Sequence, residues 1–224
     1  MKYRDSSTQN RLLFSLAIAS VVFVSLSLFM NLFGVPSIWN IFFIITTILD
    51  IVATILFLLC TRSNTANHLK PKLYITGFTL LCVTRVIDLL VYVLLIFMGS
   101  YVAIARVFMH TPYIITLIII AVFLFIKKYR PWLFTAFCIG TGVGFASDLL
   151  IRFSVSEPTL SGILWSLFYV LCATLPIIFI AITLRTGCFF PPEMRLQQLI
   201  SMRAAGKLDE VSYQEQRAEV IENL

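Results

Sequence analysis

Residues Val83 to Leu95 read VTRVIDLLVYVLL and place an arginine and an aspartate inside an apolar run. The run extends from Leu73 to Met98, so it exceeds the about 20 residues that a helix needs to cross a bilayer. A charged side chain at the centre of such a helix costs at least about 2.5–3.5 kcal/mol. Arg85 and Asp88 are therefore expected to face protein or water and to find partners there.

The composition indicates an integral membrane protein. Of the 224 residues, 59% are hydrophobic and only 12% are charged, whereas a soluble domain has roughly 25% charged residues. So few polar side chains could not cover a surface exposed to water, and the expected partner of this surface is the lipid bilayer. The net charge is +6, but the last segment, 193–224, is slightly acidic. With no basic face and no recognition motif, we expect no nucleic acid partner.

The sequence contains six apolar runs that are long enough to cross a bilayer. They lie near Leu12–Phe33, Ile38–Cys60, Leu73–Met98, Val102–Ile126, Trp132–Ile151 and Leu160–Leu184. This pattern predicts an all-α, polytopic membrane protein with a six-helix transmembrane domain over residues 1–190 and a short helical tail over 191–224. Pro176 lies inside the sixth run and predicts a kink, which serves either packing or a hinge.

Basic residues are distributed unevenly between the predicted loops. Ten of them precede the tail and fall on one side of the membrane: Lys2, Arg4, Arg11, Arg62, Lys70, Lys72, Lys127, Lys128, Arg130 and Arg185. The loops of the other side contain only Arg152. Because positive residues are retained in the cytoplasm, this asymmetry predicts three helical hairpins in the plasma (inner) membrane with both termini cytoplasmic.

Charged and polar residues within the spans form a column that reaches from the membrane centre outward. Its members are Asp50, Arg85, Asp88, Arg106, His110, Asp148 and Arg152. From a rise of about 1.5 Å per residue, Asp50 and Arg85 lie near the same central depth, which makes them natural partners between helices. Arg85 and Asp88 share a helix face, as do Asp148 and Arg152. The column is interpreted either as an ion-pair network that fixes helix packing or as the lining of an outward-facing pathway for an ion or small polar solute.

The tail after Pro191 is expected to form two short amphipathic helices. Apolar residues recur at helical spacing in both, Gly206 suits the end of the first helix, and Asp209 can cap the start of the second. A tail of about thirty residues is below the size that usually folds alone. Its apolar faces should therefore pack on another copy, on the cytoplasmic loops or on a partner protein.

The tail resembles the short C-terminal domain of bacterial proteins called SHOCT. The segment is LQQLISMRAAGKLDEVSYQEQRAEVIENL, and the matching positions are Leu196, Leu199, Met202, Gly206, Leu208, Asp209, Tyr213, Arg217, Val220 and Ile221. Ser212 stands where that family usually has an acidic residue. The resemblance implies a bacterial origin and a role in self-association or in binding a cytoplasmic partner. The residues predicted for that role are Leu196, Leu199, Met202, Tyr213, Val220 and Ile221.

No sequence motif for catalysis, a metal or another cofactor is found. The two histidines, His68 and His110, lack an HExxH context, and no GxSxG or paired-aspartate protease motif is present. The five cysteines are scattered and form no CxxC pair. Gly140 and Gly144 have the spacing of a small-residue packing face rather than of a phosphate loop. We therefore expect no enzyme, no cofactor and no metal site.

These observations predict an oligomeric channel-like or transporter-like protein for a small ion or polar solute. The alternative is a membrane scaffold, a sensor or an immunity-type protein that transports nothing and assembles through its tail. The sequence leaves the solute and the number of subunits open.

Overall fold

A computed structural model describes residues 6–32, 38–62, 69–155 and 160–222, and these residues form helices and no strand. The helices are α1 (Ser6–Leu32), α2 (Ile38–Thr61), α3 (Lys70–Phe97), α4 (Tyr101–Phe125), α5 (Trp132–Val155), α6 (Leu160–Thr186), α7 (Pro192–Ala204) and α8 (Glu210–Glu222). The all-α prediction is confirmed, and each of the six apolar runs corresponds to one of the helices α1 to α6.

Four helices, α1 to α4, are long and apolar enough to cross a membrane. The apolar segments found among the described residues of α5 and α6 are shorter, at 132–146 and 174–186. Large apolar side chains are exposed on each of the six helices α1 to α6, for example Val22, Leu90 and Val122. Soluble proteins rarely expose contiguous apolar surface on this scale, which indicates a membrane protein.

Helices α1 to α6 form a closed ring. Each helix packs against the next one in the chain, and α6 returns to pack against α1. Antiparallel packing of sequential helices follows from their short connections. The turn between α3 and α4, for example, is made by Gly99, whose φ of 87° is readily adopted only by glycine. The ring places side chains from six helices around one centre.

One end of the ring, which we call the tail end, is filled by aromatic side chains. The Phe57 ring stacks on Phe179 with centroids 5.0 Å apart, and the Tyr74 ring lies 5.8 Å from Phe57 and 5.7 Å from Phe189. The Tyr74 hydroxyl is hydrogen-bonded to Thr183 Oγ1 at 2.7 Å. These side chains are buried, so the tail end is a packed aromatic core in which the Tyr74 hydroxyl has its partner.

Two glycines of α5 allow it to approach α4 closely. A Cβ added at Gly140 of α5 would lie 2.5 Å from Thr116 Oγ1 of α4, and one added at Gly144 would lie 3.2 Å from Tyr113 Cβ. A Cβ added at Gly142 would meet nothing within 4 Å. The prediction of a small-residue packing face is therefore confirmed for Gly140 and Gly144, whereas Gly142 lies on another face of α5.

Helix α7 covers the tail end of the ring. Its side chains bond the backbone at the end of α6: Arg195 Nη1 donates to the Thr186 carbonyl, and Gln198 Nε2 donates to the Arg185 carbonyl at 3.2 Å. Gln197 bonds two backbone groups of the α4–α5 turn, at 2.8 and 3.3 Å. The last carbonyls of a helix have no partner within it, so α7 supplies partners for two of them.

The second tail helix packs on the first, and the predicted caps are found at the end of α7 and at the start of α8. Gly206 ends α7 with a φ of 65°, and Asp209 Oδ1 accepts the backbone N–H of Ser212 at 2.8 Å. The Arg203 guanidinium carbon lies 4.7 Å from the centre of the Tyr213 ring. Both predicted caps are confirmed.

Candidate functional site

A cavity of about 450 Å³ lies at the centre of the ring and is lined by residues of all six helices α1 to α6. It is located between the aromatic core of the tail end and the opposite end of the ring. Its polar lining residues are Ser27, Thr46, Thr47, Asp50, Thr54, Arg85, Asp88, Tyr92, Arg106, His110, Tyr113 and Thr141. The volume falls within the range of about 300–1,000 Å³ that is typical of small-molecule sites.

One arginine joins the two aspartates that line the cavity. Arg85 Nη2 contacts Asp50 Oδ2 of α2, and Arg85 Nη1 donates to Asp88 Oδ2 at 2.8 Å. Asp50 and Asp88 expose 15% and 18% of their side chains, and Arg85 exposes 31%. The predicted pairing of Asp50 with Arg85 between helices, and of Arg85 with Asp88 along α3, is confirmed. With both carboxylates and the guanidinium ionised, the cluster carries one excess negative charge.

Helical spacing explains why α3 presents these groups to the cavity. Arg85, Asp88 and Tyr92 are three and then four residues apart, so they lie on one face of the helix. Thr84 lies beside this face and is fully buried. Its hydroxyl donates to Asp50 Oδ1 at 2.7 Å. Both oxygens of Asp50 therefore have a partner on α3, as a buried carboxylate requires.

A second charged group lies further from the tail end, where Arg106 and His110 of α4 meet Tyr92 of α3. Arg106 Nη1 donates to the Tyr92 hydroxyl at 2.9 Å. The ring of His110 is nearly parallel to that of Tyr92, with centroids 6.0 Å apart. Arg106 Nε is buried and has no hydrogen-bond partner among the described residues. Arg106 forms no ion pair with a carboxylate of the described residues, and it lines the cavity.

The structure brings five of the seven predicted intramembrane residues to one cavity: Asp50, Arg85, Asp88, Arg106 and His110. The other two, Asp148 and Arg152, lie on α5, and their side chains are outside the part of the structure that is described. Three threonines, Thr46, Thr47 and Thr84, lie at or beside the same cavity.

Sequence reasoning missed several cavity residues, above all Tyr92 and Tyr113. Both tyrosines lie in apolar runs, where an aromatic residue is usually interpreted as facing lipid or as part of the packed core. The signal that could have found them is their spacing, because Tyr92 lies seven residues after Arg85, and Tyr113 seven after Arg106. Two turns of helix return a side chain to the same face.

A proline inside α6 contributes to the cavity wall. Pro176 is buried and lines the cavity, and α4 contains a second internal proline, Pro112. A proline in a helix interior removes one backbone hydrogen bond and weakens the helix locally. Two of the six cavity-forming helices therefore have a weakened point within the apolar region, and the one in α6 lies at the cavity itself.

The tail residues predicted for association are mostly covered by the chain itself. Leu199 and Tyr213 are buried, Leu196, Met202 and Val220 are half-buried, and Ile221 is 47% exposed. Of the alternatives for these apolar faces, packing on the membrane domain is supported by Met194 of α7, which belongs to the buried core formed with the membrane helices. Exposed apolar residues remain on both tail helices, for example Ile200 and Val211.

Two carboxyl groups outside the membrane-spanning helices have lowered pKa values. Glu193 accepts a hydrogen bond of 2.8 Å from Lys127 Nζ of the α4–α5 turn, and this bond lowers the pKa of Glu193. The backbone N–H of Ser212 lowers the pKa of Asp209 in the same way. In the ionised form, Glu193 therefore favours contact of α7 with the α4–α5 turn, and Asp209 favours the start of α8.

Comparison with protein-family models, curated proteins and solved structures finds no match for this chain. Within the described residues, no group of three or more His, Cys, Asp or Glu side chains is arranged to hold a metal ion.

Proposed function

We propose that the chain is a six-span membrane protein of the plasma (inner) membrane that binds a small ion or polar solute in its central cavity and moves it across the bilayer. The observation that carries the proposal is the convergence of Asp50, Arg85, Asp88 and Arg106 on one cavity of about 450 Å³. Charged side chains within a membrane are costly and mark solute pathways more often than they serve packing alone.

The two halves of the ring differ in a way that favours a transporter over an open channel. The cavity contains charged and polar side chains, whereas the tail end is closed by Phe57, Tyr74 and Phe179, which are all buried. A solute in the cavity would therefore need a conformational change to pass the aromatic core. Pro112 and Pro176 weaken α4 and α6 and supply points at which these helices could bend.

The arrangement of the basic loops supports a cytoplasmic location of both chain termini. Lys127 of the α4–α5 turn bonds Glu193 of α7, and Cys60 at the end of α2 contacts the Lys70 carbonyl at the start of α3. These connections and the tail therefore lie at one end of the ring, which by the positive-inside rule is the cytoplasmic end. The cavity then faces the outside of the cell.

Accessibility to water tests the cavity without knowledge of the solute. In a cysteine-free background, Thr47→Cys introduces a thiol at the cavity, and Ala53→Cys introduces one on the same helix within the packed core. A charged, membrane-impermeant thiol reagent added to intact cells should label the first variant and not the second. Equal protection of both thiols would refute an outward-facing cavity.

Neutralising the charges tests transport itself. In proteoliposomes given a defined mixture of amino acids, polyols and inorganic ions, the wild-type chain should take up at least one component. Asp50→Asn and Arg85→Gln should remove that uptake in protein that still purifies as a folded, monodisperse species. Absence of any uptake by the wild-type chain would refute the proposal.

The second candidate function is a membrane scaffold or sensor that transports nothing. It is favoured by the pairing within the Asp50–Arg85–Asp88 cluster, since paired charges also fix helix packing. If the two neutralised variants lose expression and detergent stability, and the wild-type chain moves no solute, this function is supported instead.

Self-association through the tail is a further part of the proposal. Ile200, Val211 and Ile221 are exposed apolar residues on α7 and α8 that a second copy or a cytoplasmic partner could cover. Truncation after Pro192 should lower the oligomeric mass in mild detergent. An unchanged mass would refute a role of the tail in assembly.

A further inference from the structure

We propose that the solute is a small zwitterion of amino-acid size, with an ammonium group bound at the Asp50–Arg85–Asp88 cluster and a carboxylate bound at Arg106. This inference rests on the proposed function and specifies the class of solute.

The first argument is the balance of charge in the cavity. Asp50 and Asp88 contribute two carboxylates, and Arg85 and Arg106 contribute two guanidinium groups. Counted as ionised groups, these four side chains sum to zero, so a simple cation or anion would add an unbalanced charge to them. A net charge in a low-dielectric site is costly. A dipolar solute without net charge avoids that cost.

The second argument is that the opposite charges are separated into two poles. Arg85 is shared by both carboxylates, so excess negative charge remains on that cluster. Arg106 bonds the Tyr92 hydroxyl, and Tyr92 lies one helical turn beyond Asp88 on the same face of α3. The two poles therefore line one cavity from neighbouring turns of α3, which suits a small molecule that carries both an ammonium and a carboxylate group.

The third argument is the incomplete hydrogen bonding of Arg106. Its Nη1 is bound to the Tyr92 hydroxyl, but Nε is buried without a partner among the described residues. A buried guanidinium nitrogen without an acceptor is uncommon, because almost all such groups are satisfied. A carboxylate is the acceptor whose geometry matches the planar guanidinium group best.

The remaining wall of the cavity is apolar. Phe43, Leu89, Ile114 and Phe145 contribute to it, and a ligand site typically combines such a surface with a few fixed polar groups. An apolar side group on the zwitterion would occupy this part of the cavity. The inference therefore favours amphipathic zwitterions over glycine or strongly polar ones.

Calorimetric titration of the purified full-length chain tests the inference with matched probes. Alanine, leucine and phenylalanine are compared with their carboxylate analogues (propionate, isocaproate and hydrocinnamate) and their amine analogues (ethylamine, isopentylamine and phenethylamine). We expect at least one zwitterion to bind at least tenfold more tightly than either of its own analogues, with leucine or phenylalanine tighter than alanine.

Variants of Arg106 locate the carboxylate. Arg106→Gln should weaken binding of the zwitterion at least tenfold while affinity for its amine analogue stays within twofold, and Arg106→Lys should restore part of the loss. Ile118→Ala, at an exposed position of the same helix, should bind as the wild-type chain does. Loss of both affinities in Arg106→Gln would indicate a collapsed cavity. In that case the comparison of probes on the wild-type chain decides whether the cavity prefers a zwitterion.

Two results would overturn the inference. One is a carboxylate analogue that binds as tightly as its zwitterion, since the site would then take simple anions. The other is a failure of all three zwitterions to bind wild-type protein whose Thr47→Cys form is labelled from the water. That second result would leave the outward-facing cavity and the proposed transport of another solute intact, whereas an unlabelled cavity would refute both.

Discussion

The Thr84 hydroxyl donates a hydrogen bond of 2.7 Å to Asp50 Oδ1, and the next residue of α3, Arg85, holds the other oxygen of the same carboxylate. Two neighbouring residues of one helix thus satisfy a single charged group of another. This arrangement fixes the register of α2 against α3 at the depth of the cavity. The Thr84 hydroxyl and the Arg85 guanidinium therefore position Asp50 together.

Removal of the Thr84 hydroxyl should therefore destabilise the protein. Thr84→Val keeps the shape of the side chain but leaves Asp50 Oδ1 without this donor, at a cost of about 1–3 kcal/mol in the free energy of unfolding. Thr76→Val is the matched control, because the exposed Thr76 hydroxyl bonds only the backbone of its own helix. Unfolding in mixed detergent micelles measures both, and equal losses would contradict the prediction.

The Asp50–Arg85 pair should show strong energetic coupling. Arg85→Gln leaves two carboxylates facing the cavity without their shared cation, and we expect a loss of about 3 kcal/mol. That value is at the lower end for buried pairs, because the cavity exposes 31% of the Arg85 side chain. Asp50→Asn added to Arg85→Gln should cost less than the sum of the two single changes. A double-mutant cycle measures this coupling, and strict additivity would exclude it.

Two glycines of α5 should respond oppositely to the same substitution. Gly140→Ala places a methyl group against Thr116 of α4 and should cost about 1–3 kcal/mol through overpacking. Gly142→Ala has open space around it and should be neutral or stabilise the helix by up to about 1 kcal/mol. Thermal unfolding of the two purified variants provides the comparison. Destabilisation of both to the same extent would show that close packing at Gly140 is not the cause.

The helices and the shared depth of the charges could be predicted from the sequence. The length of each apolar run sets the helix, and the rise per residue sets the depth of Asp50 and Arg85, so their pairing followed from local rules. Which helices are neighbours beyond the three predicted hairpins did not follow. The closure of the ring by α6 on α1 depends on the shapes of many apolar side chains, and in an apolar run these shapes carry little pattern.

The cavity and the docking of the tail also could not be predicted from the sequence. Tyr92 and Tyr113 line the cavity only because α3 and α4 turn those faces inward, and their residue type fits a core equally well. The stripe with Leu199 indicated a buried face on α7 but not what covers it. The deciding contacts are those of Arg195 and Gln198 with the end of α6, which are long-range and have no local signature.

Loss of the Gln198 side chain should loosen the tail. Gln198 is 1% exposed and donates to the Arg185 carbonyl, so Gln198→Ala leaves that carbonyl without this donor and creates a small cavity. We expect faster hydrogen exchange in α7 by a factor that corresponds to about 1–3 kcal/mol. Gln214→Ala is the control, because the Gln214 side chain is exposed and bonds only Glu210 of its own helix. Exchange that changes equally in both variants would refute the capping role.

The start of α8 should become less stable in acid. Asp209 accepts hydrogen bonds from the Ser212 backbone and hydroxyl, and its pKa in the folded chain lies below the ordinary value of 3.8. A group with a lowered folded pKa stabilises the fold fully above its unfolded pKa and loses this contribution as pH falls through the folded value. Exchange protection of the amides at 211–214, expressed relative to the intrinsic rate at each pH, should therefore fall below about pH 4.

Substitutions at this cap separate its charge from its hydrogen bond. Asp209→Asn keeps an acceptor oxygen at the cap but does not titrate, so protection at 211–214 should be nearly independent of pH. Asp209→Ala should lower protection at every pH. Glu210→Gln removes the neighbouring carboxylate, which pairs with Arg203, and should leave the acid-induced loss in place. If Asp209→Asn loses protection in acid as the wild-type chain does, another group controls the start of α8.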